Sequence, residues 1–313
     1  MEFLYLLEKI RFPALNTFML LLTKLGEETA FLAIAIIVYW CVDKYQGYYF
    51  MGVGLFGNLA NQFLKVLCQV PRPWVRDPDF HALPEAIPAA GGYSFPSGHS
   101  QTAVGTFGCI AATQKKKWLR ALCIAVMILV PFSRMYLGVH TPADVLVGSA
   151  MALIMVFAVR PLMLGKGKKN IPWVFAALLV LSVVFLVWLR VFYDSWVHRG
   201  GRVTLAVTDQ NYWSAVKNAY TFIGCFAGLL IVWFLDEKWL HFDTKAVWWA
   251  QILKSVLGLA LVLAVKEGMR PVLESFLPEM PARAVRYALI VVTAGVIWPL
   301  TFQFFARLGR KDG

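Results

Sequence analysis

Charge is scarce in this chain. Asp, Glu, Lys and Arg make up 15% of its 313 residues against 59% hydrophobic residues, and the mean hydropathy is +0.63. So little polar surface could not cover an ordinary soluble domain, and that class is excluded. Acid is scarcer than base, 18 residues against 30, for a net charge of +12. The basic excess sits between apolar runs instead of gathering in a patch interleaved with aromatics, so no nucleic-acid partner is expected. Cysteine is rare as well. Cys41, Cys68, Cys109, Cys123 and Cys225 lie in or beside apolar runs, without the paired spacing of a metal site or disulfide framework, and are expected as buried small hydrophobes. There is no repeat of fixed period and no low-complexity stretch. A cleavable signal peptide is not expected, because Glu2, Glu8, Lys9 and Arg11 break up the N-terminus, so insertion would rely on the first span.

Long apolar runs fill nearly everything else, and crossing the hydrocarbon core needs roughly 20 mainly apolar residues. The spans predicted are 28–42, 46–68, 98–114, 118–136, 142–162, 171–192, 214–235, 246–265 and 284–306, which makes the fold an all-α multi-pass membrane helix bundle of about nine spans. Residues 1–27 read as an interfacial amphipathic segment, with Phe3, Leu4, Leu6, Leu7 and Ile10 and then Leu15, Phe18, Met19, Leu21 and Leu22 spaced for helices lying on the bilayer surface. Residues 28–162 form a core bundle, and 163–313 add further spans. Lys115, Lys116, Lys117 and Arg120, then Arg160, Lys166, Lys168 and Lys169, then Arg307, Arg310 and Lys311 read as cytoplasmic anchors. Segments 69–97, 133–141, 193–213 and 266–283 then face outward, although they also carry Arg76, Arg199, Arg202, Arg270, Arg283 and Arg286. Trp173, Trp188, Trp213, Trp239, Trp248, Trp249 and Trp298, mostly near span ends, read as an interfacial belt.

Three short segments hold phosphate-type chemistry, and this topology puts all three at one face. In the first, Lys65 and Arg72 are spaced so that a helix would bring both to one side, only about 20° short of two full turns, while Pro71 and Pro73 end the helix. A lysine near a span end can simply snorkel to the headgroups; an arginine beside it, with a planar fork suited to phosphate oxygens, favours an anion site. In the second, Pro96-Ser97-Gly98-His99, Ser97 reads as an N-cap. A helix N-terminus there, with Gly98 allowing close approach, is also an anion site, and His99 could protonate a departing oxygen. In the third, Arg134 ends a span and His140-Thr141-Pro142-Ala143-Asp144 begins the next, with Thr141 at the N-cap and Pro142 at the first helical position. Asp144 has two readings: partner of Thr141 in a capping box, or acceptor of the N–H of His140, leaving the other ring nitrogen free to attack phosphorus.

Together these segments resemble the type 2 phosphatidic acid phosphatase superfamily, whose pattern is a lysine, six residues, Arg-Pro, then Pro-Ser-Gly-His, then Ser-Arg, five residues, His, three residues, Asp. Lys65, Arg72-Pro73, Pro96-Ser97-Gly98-His99, Ser133-Arg134, His140 and Asp144 match it in order. The resemblance covers about residues 28–162 and leaves 163–313 without a role. It implies that His140 is the nucleophile forming a phosphohistidine, that Asp144 orients it, and that His99 is the general acid that later activates water. Lys65, Arg72, Arg134, Ser97 and the Gly98 backbone would hold the phosphoryl oxygens. No metal and no cofactor are expected, since positive side chains and helix termini would stabilise the transition state.

The expected activity is hydrolysis of an amphiphilic phosphate monoester or diphosphate in the outer leaflet of a bacterial-type plasma membrane. Phosphatidic acid, phosphatidylglycerophosphate and polyprenyl diphosphate all fit by resemblance, so the partners are the bilayer and a membrane lipid substrate. Alternatives are phosphatase action on a soluble phosphate ester, or a lipid transporter or flippase, which would bind near the bilayer midplane. Vanadium-dependent haloperoxidases share the anion-site pattern but are soluble. Lys254, Lys266, Glu267 and Arg270 read as ion pairs and headgroup anchors, or as a second contact to an anionic headgroup. His81, His198 and His241 lack partners at ligand spacing. The sequence sets no oligomeric state.

Overall fold

In the computed structural model, residues 1–197 and 205–308 are described. His198, Arg199, Arg202, Arg310 and Lys311 lie outside them. The described residues run through helices α1 (Glu2–Lys9), α2 (Pro13–Thr23), α3 (Glu28–Cys41), α4 (Lys44–Cys68), α5 (Pro73–Arg76), α6 (Gly98–Thr113), α7 (Lys117–Tyr136), α8 (Pro142–Met163), α9 (Ile171–Val197), α10 (Leu205–Leu235), α11 (Trp248–Glu274), α12 (Glu279–Val292) and α13 (Phe302–Arg307). Each of the spans predicted from the sequence is helical, and no strand occurs among the described residues. Among the described residues, six helices are long and apolar enough to cross a bilayer: 117–136, 142–163, 165–191, 210–240, 248–274 and 279–307. Large apolar side chains on these helices, such as Ile128, Ile154, Phe157 and Val191, are exposed, as lipid-facing residues must be. Helix α3 is apolar but shorter, at 14 residues, while α4 and α6 carry buried polar side chains such as Asn58, Asn61, Gln101 and Thr102.

The chain folds as two units that interleave along the sequence. The first comprises Met1–Leu32, Val53–Arg160 and Trp188–Ala215; the second comprises Ala33–Gly52, Pro161–Val187 and Val216–Gly313.

Helix α6 is largely buried in the first unit, and glycines of its neighbours admit close approach. A side chain on Gly57 of α4 would fall 1.8 Å from the Gln101 amide nitrogen, and one on Gly148 of α8 would fall 2.6 Å from the carbonyl oxygen of Ser97. The N-terminal segment also belongs to this unit. Leu4 and Leu7 of α1 pack with Phe80, and Met19 of α2 packs with Ala82, Ala86, Ala90, Tyr136, Leu137 and Val139. Arg11 between the two helices donates through Nε to the carbonyl of Tyr136 at 3.0 Å and through Nη1 to that of His81 at 2.5 Å. Helix α7 ends where Gly138 takes φ +79, a left-handed conformation that glycine adopts freely, and the amide of Val139 returns to the carbonyl of Arg134.

The second unit has its own buried polar groups. Lys44 pairs with Asp236 at 2.7 Å, and Lys254 donates to the carbonyls of Trp40 (2.9 Å) and Thr244 (3.1 Å) while standing over the Phe302 ring. Lys254 is therefore held by carbonyls and an aromatic face, whereas Lys266 pairs with Glu267 and Arg270 with Glu274. Trp298, expected in the interfacial belt, packs against Trp40 and Phe305 instead; Trp173, Trp213, Trp239, Trp248 and Trp249 are exposed. Cys109, Cys123 and Cys225 are buried, but Cys68, at the end of α4, is exposed.

Candidate active site

Four helix ends of the first unit meet at a cavity of about 270 Å³: the C-terminal ends of α4 and α7, and the N-terminal ends of α6 and α8. Lys65, Arg72, Gly98, His99, Arg134 and His140 line it, with Gly26, Glu27, Glu28, Asn58, Asn61, Gln62, Ala89, Gly91 and Thr102. Ser97 and Asp144 stand behind that lining, both buried.

Arg72 reaches the cavity by a different route from the one its spacing predicts. Helix α4 stops at Cys68, Gln69 turns at φ +48, and Arg72 lies beyond the helix as the residue that caps α5. Pro71 forbids continuation, so helical phase does not align Lys65 with Arg72. The 69–97 loop does so instead, fastened by Ser94 N–H to the Val70 carbonyl (2.8 Å) and Ser97 N–H to the Asp144 carbonyl (2.9 Å). In that loop Lys65 Nζ donates to the Tyr93 carbonyl. Arg72 donates to the carbonyls of Gly92 (Nε, 3.0 Å), Gly91 (Nη2, 2.7 Å) and Val139 (Nη1, 2.9 Å).

Arg72 Nη1 lies 2.9 Å from His140 Nε2 and 3.5 Å from Nδ1. Both contacts come from one guanidinium nitrogen, which brings its positive charge against the His140 ring. Nδ1 in turn faces Asp144 Oδ2 at 3.6 Å, an ion-pair distance longer than a hydrogen bond. That carboxylate oxygen is already taken by shorter donors, the Ser94 hydroxyl at 2.6 Å and the Thr141 amide at 2.8 Å, while the Asp144 amide reaches Thr141 Oγ1 at 3.4 Å. The capping box is thus formed, and the same oxygen is also the nearest negative charge to His140. Burial pushes the His140 pKa well below the usual histidine range, and Arg72, Arg134, Lys65 and His99 push the same way. Burial likewise lowers Arg72 to about 10 against the opposing pull of Asp144.

Three buried nitrogens in this lining have no partner among the described residues: Nε and Nη2 of Arg134, and Nε2 of His99. A guanidinium edge that lines a cavity without a protein partner is free to take the oxygens of an anion. The remaining Arg134 nitrogen, Nη1, donates to Thr23 Oγ1 at 2.8 Å. Ser97 Oγ accepts from the Ser100 amide at 3.4 Å and the Ser100 hydroxyl at 2.9 Å, so it works here as the N-cap of α6 and leaves the Gly98 turn open to the cavity.

Sequence reasoning missed Ser94 and Thr23. Ser94 lies three residues before Ser97 in a segment read only as loop, and Thr23 in a helix read only as interfacial. Nothing in the spacing of either marks it. Outside the cavity, exposed His81 faces Glu8 at 3.5 Å, and His241 turns the chain at φ +42.

Residues 46–168 match the PAP2 superfamily, and residues 220–311 match the transmembrane extension of PAP2 superfamily phosphatases. Phosphatidylglycerophosphatase B of Bacillus subtilis is 30% identical over 164 residues, covering 48% of this chain and 76% of that protein. An undecaprenyl-diphosphatase of Sulfolobus acidocaldarius is 43% identical over 56 residues, 18% of this chain and 27% of that one. The crystal structure of a transmembrane PAP2-type phosphatidylglycerolphosphate phosphatase from Bacillus subtilis, 28% identical, superimposes with a TM-score of 0.45 over 54% of this chain and 83% of that one. By the match across both segments and the identity sustained over three quarters of a relative, this chain belongs to the PAP2 superfamily of membrane phosphatases.

Proposed function

We propose that the chain hydrolyses the phosphate monoester or diphosphate of a membrane lipid in this cavity, through a phosphohistidine on His140 and without a metal ion. The observation that carries the reading is the set of unpartnered buried nitrogens, Arg134 Nε and Nη2 and His99 Nε2, in the same cavity as the His140 ring. They suit the non-bridging oxygens of a phosphate and the bridging oxygen of its leaving group.

In the first step Nε2 of His140 attacks phosphorus and the bond to the lipid oxygen breaks, with His99 giving its proton to that oxygen. The Nδ1 proton stays between the ring and Asp144, whose charge offsets the positive imidazole that forms. Lys65, Arg72, Arg134 and the Gly98 turn hold the three equatorial oxygens. In the second step His99 takes a proton from water as it attacks the phosphohistidine, releasing orthophosphate and restoring His140. A dianion seated among these cations favours the protonated form of His99 that the first step needs.

The relatives are named for phosphatidylglycerophosphate and undecaprenyl diphosphate, and a lipid of either kind or phosphatidic acid fits a site at the ends of membrane helices. The test is orthophosphate release by the purified protein from a panel of these lipids and of soluble phosphate esters, with and without excess chelator. Release from lipids that persists in chelator, with an acid-labile phosphoenzyme lost in His140→Ala, is the expected result. No release from any lipid, or activity abolished by chelator and restored by Mg²⁺ or Zn²⁺, would overturn the reading.

A further inference from the structure

The N-terminal segment contributes directly to the cavity, although the family match begins only at residue 46. Thr23, the last residue of α2, is buried, and its hydroxyl accepts the 2.8 Å hydrogen bond from Arg134 Nη1. Arg134 is itself 1% exposed, and that bond is the sole side-chain hydrogen bond of its guanidinium among the described residues. Without it, a four-bond side chain could turn its planar fork away from the cavity. Three residues on, Gly26 lies so close to His99 that a side chain there would come within 2.8 Å of the His99 carbonyl oxygen and 3.2 Å of its Cβ. The segment is fastened at its far end by Arg11, on the turn that follows α7, and by Asn16, whose side-chain oxygen accepts from the Tyr136 hydroxyl at 2.8 Å. Thr23 is thus tied through α2 to the C-terminal end of the helix that carries Arg134.

We infer that Thr23 is a positioning residue for phosphate binding: its hydroxyl holds one arm of the Arg134 fork so that Nε and Nη2 are presented to the incoming phosphoryl oxygens. Residues 13–27 then form part of the phosphate site as well as a contact with the bilayer surface. The physical reason is preorganisation, since a guanidinium fixed by one neutral acceptor keeps its charge and two donors for the substrate. A carboxylate in the place of Thr23 would neutralise the arginine. A hydroxyl orients it without doing so.

This inference rests on the cavity being a phosphate site, and its test can be read even if the protein hydrolyses none of the lipids tried. Thr23→Val removes the hydroxyl at nearly constant volume, and Thr23→Ser keeps it. Affinity for orthophosphate and vanadate, read as the ligand-induced shift in melting temperature and as inhibition where activity is present, should weaken roughly tenfold in Thr23→Val, the scale of one lost hydrogen bond to a charged group. It should return to within about twofold of wild type in Thr23→Ser. KM should rise in parallel, with kcat changing less. In an Arg134→Ala background, Thr23→Val should weaken phosphate binding no further. Wild-type phosphate affinity in Thr23→Val, a Thr23→Ser protein as weak as Thr23→Val, or full additivity with Arg134→Ala would each overturn the inference. If Thr23→Val does not fold, the comparison of Thr23→Ser with Thr23→Ala, each in wild-type and Arg134→Ala backgrounds, decides it by the same criteria.

Discussion

At the scale of single residues, one oxygen of Asp144 serves several partners. Oδ2 accepts from Ser94 and from the Thr141 amide and faces Nδ1 of His140. In Asp144→Asn the amide oxygen can keep both short hydrogen bonds, so the cost in stability should not exceed about 1 kcal/mol. What disappears is the negative charge that faces His140 as its ring becomes positive. Turnover should fall on the order of 10²–10⁴-fold. Melting temperature and single-turnover hydrolysis on the same preparations check this, and near-wild-type turnover would leave Asp144 as a helix cap alone.

A pH dependence follows from the same site. His140 is held neutral by burial and by Arg72, Arg134 and Lys65. The unfolded chain takes up this proton near pH ~6.5 and the folded chain only well below it. The stabilisation from a neutral, buried His140 is therefore complete above about pH 6.5 and is lost as pH falls. Wild type should lose more stability than His140→Gln between about pH 7.5 and 5.5, and the Nε2 resonance of labelled protein should stay that of an unprotonated nitrogen over the range. Protonation of that nitrogen near pH ~6.5 would refute the assignment.

At the scale of elements, the cavity depends on helices packed closer than ordinary side chains allow. Gly148 of α8 has the Ser97 carbonyl oxygen 2.6 Å from where a Cβ would stand, and Ser97 N–H is bonded to the Asp144 carbonyl. The obstacle is backbone, which no rotamer change relieves. Gly148→Ala should push α8 away from the start of α6, at a cost of about 1–3 kcal/mol in stability. It should also reduce kcat/KM, because it separates Asp144 and His140 from His99. A melting temperature and kcat/KM both at wild-type values would show that the contact relaxes freely.

At the scale of the whole molecule, orientation decides which lipids the protein can reach. The cavity lies at the ends of α4 and α7 and the starts of α6 and α8, while Lys115, Lys116, Lys117, Arg120 and Arg160 sit at the opposite ends of α6, α7 and α8. The orientation proposed from the positive-inside rule, with these basic ends cytoplasmic, has the cavity facing outward. In sealed vesicles of known orientation, substrate on the cavity side should be hydrolysed and substrate confined to the Lys115 side should not. The opposite result would reverse the topology.

The sequence by itself determined the family and the medium. Apolar runs of spanning length dictate helices, because backbone groups in lipid must bond within their own segment, and the motif residues from Lys65 to Asp144 needed only their order and spacing to be recognised. Helix starts at Ser97 and Pro142 were legible for the same reason, since capping is a local interaction. The tertiary structure decided what depends on contacts between distant segments. Arg72 reaches His140 through a loop and not a helix face, Ser94 meets Asp144 from 50 positions away, and Thr23 meets Arg134 from 111. Nor could spacing predict that the chain divides into interleaved units, or that a helix expected at the bilayer surface would hold an arginine of the cavity. Such contacts arise from close packing, and packing is set by the shapes of whole helix faces, which a motif does not encode.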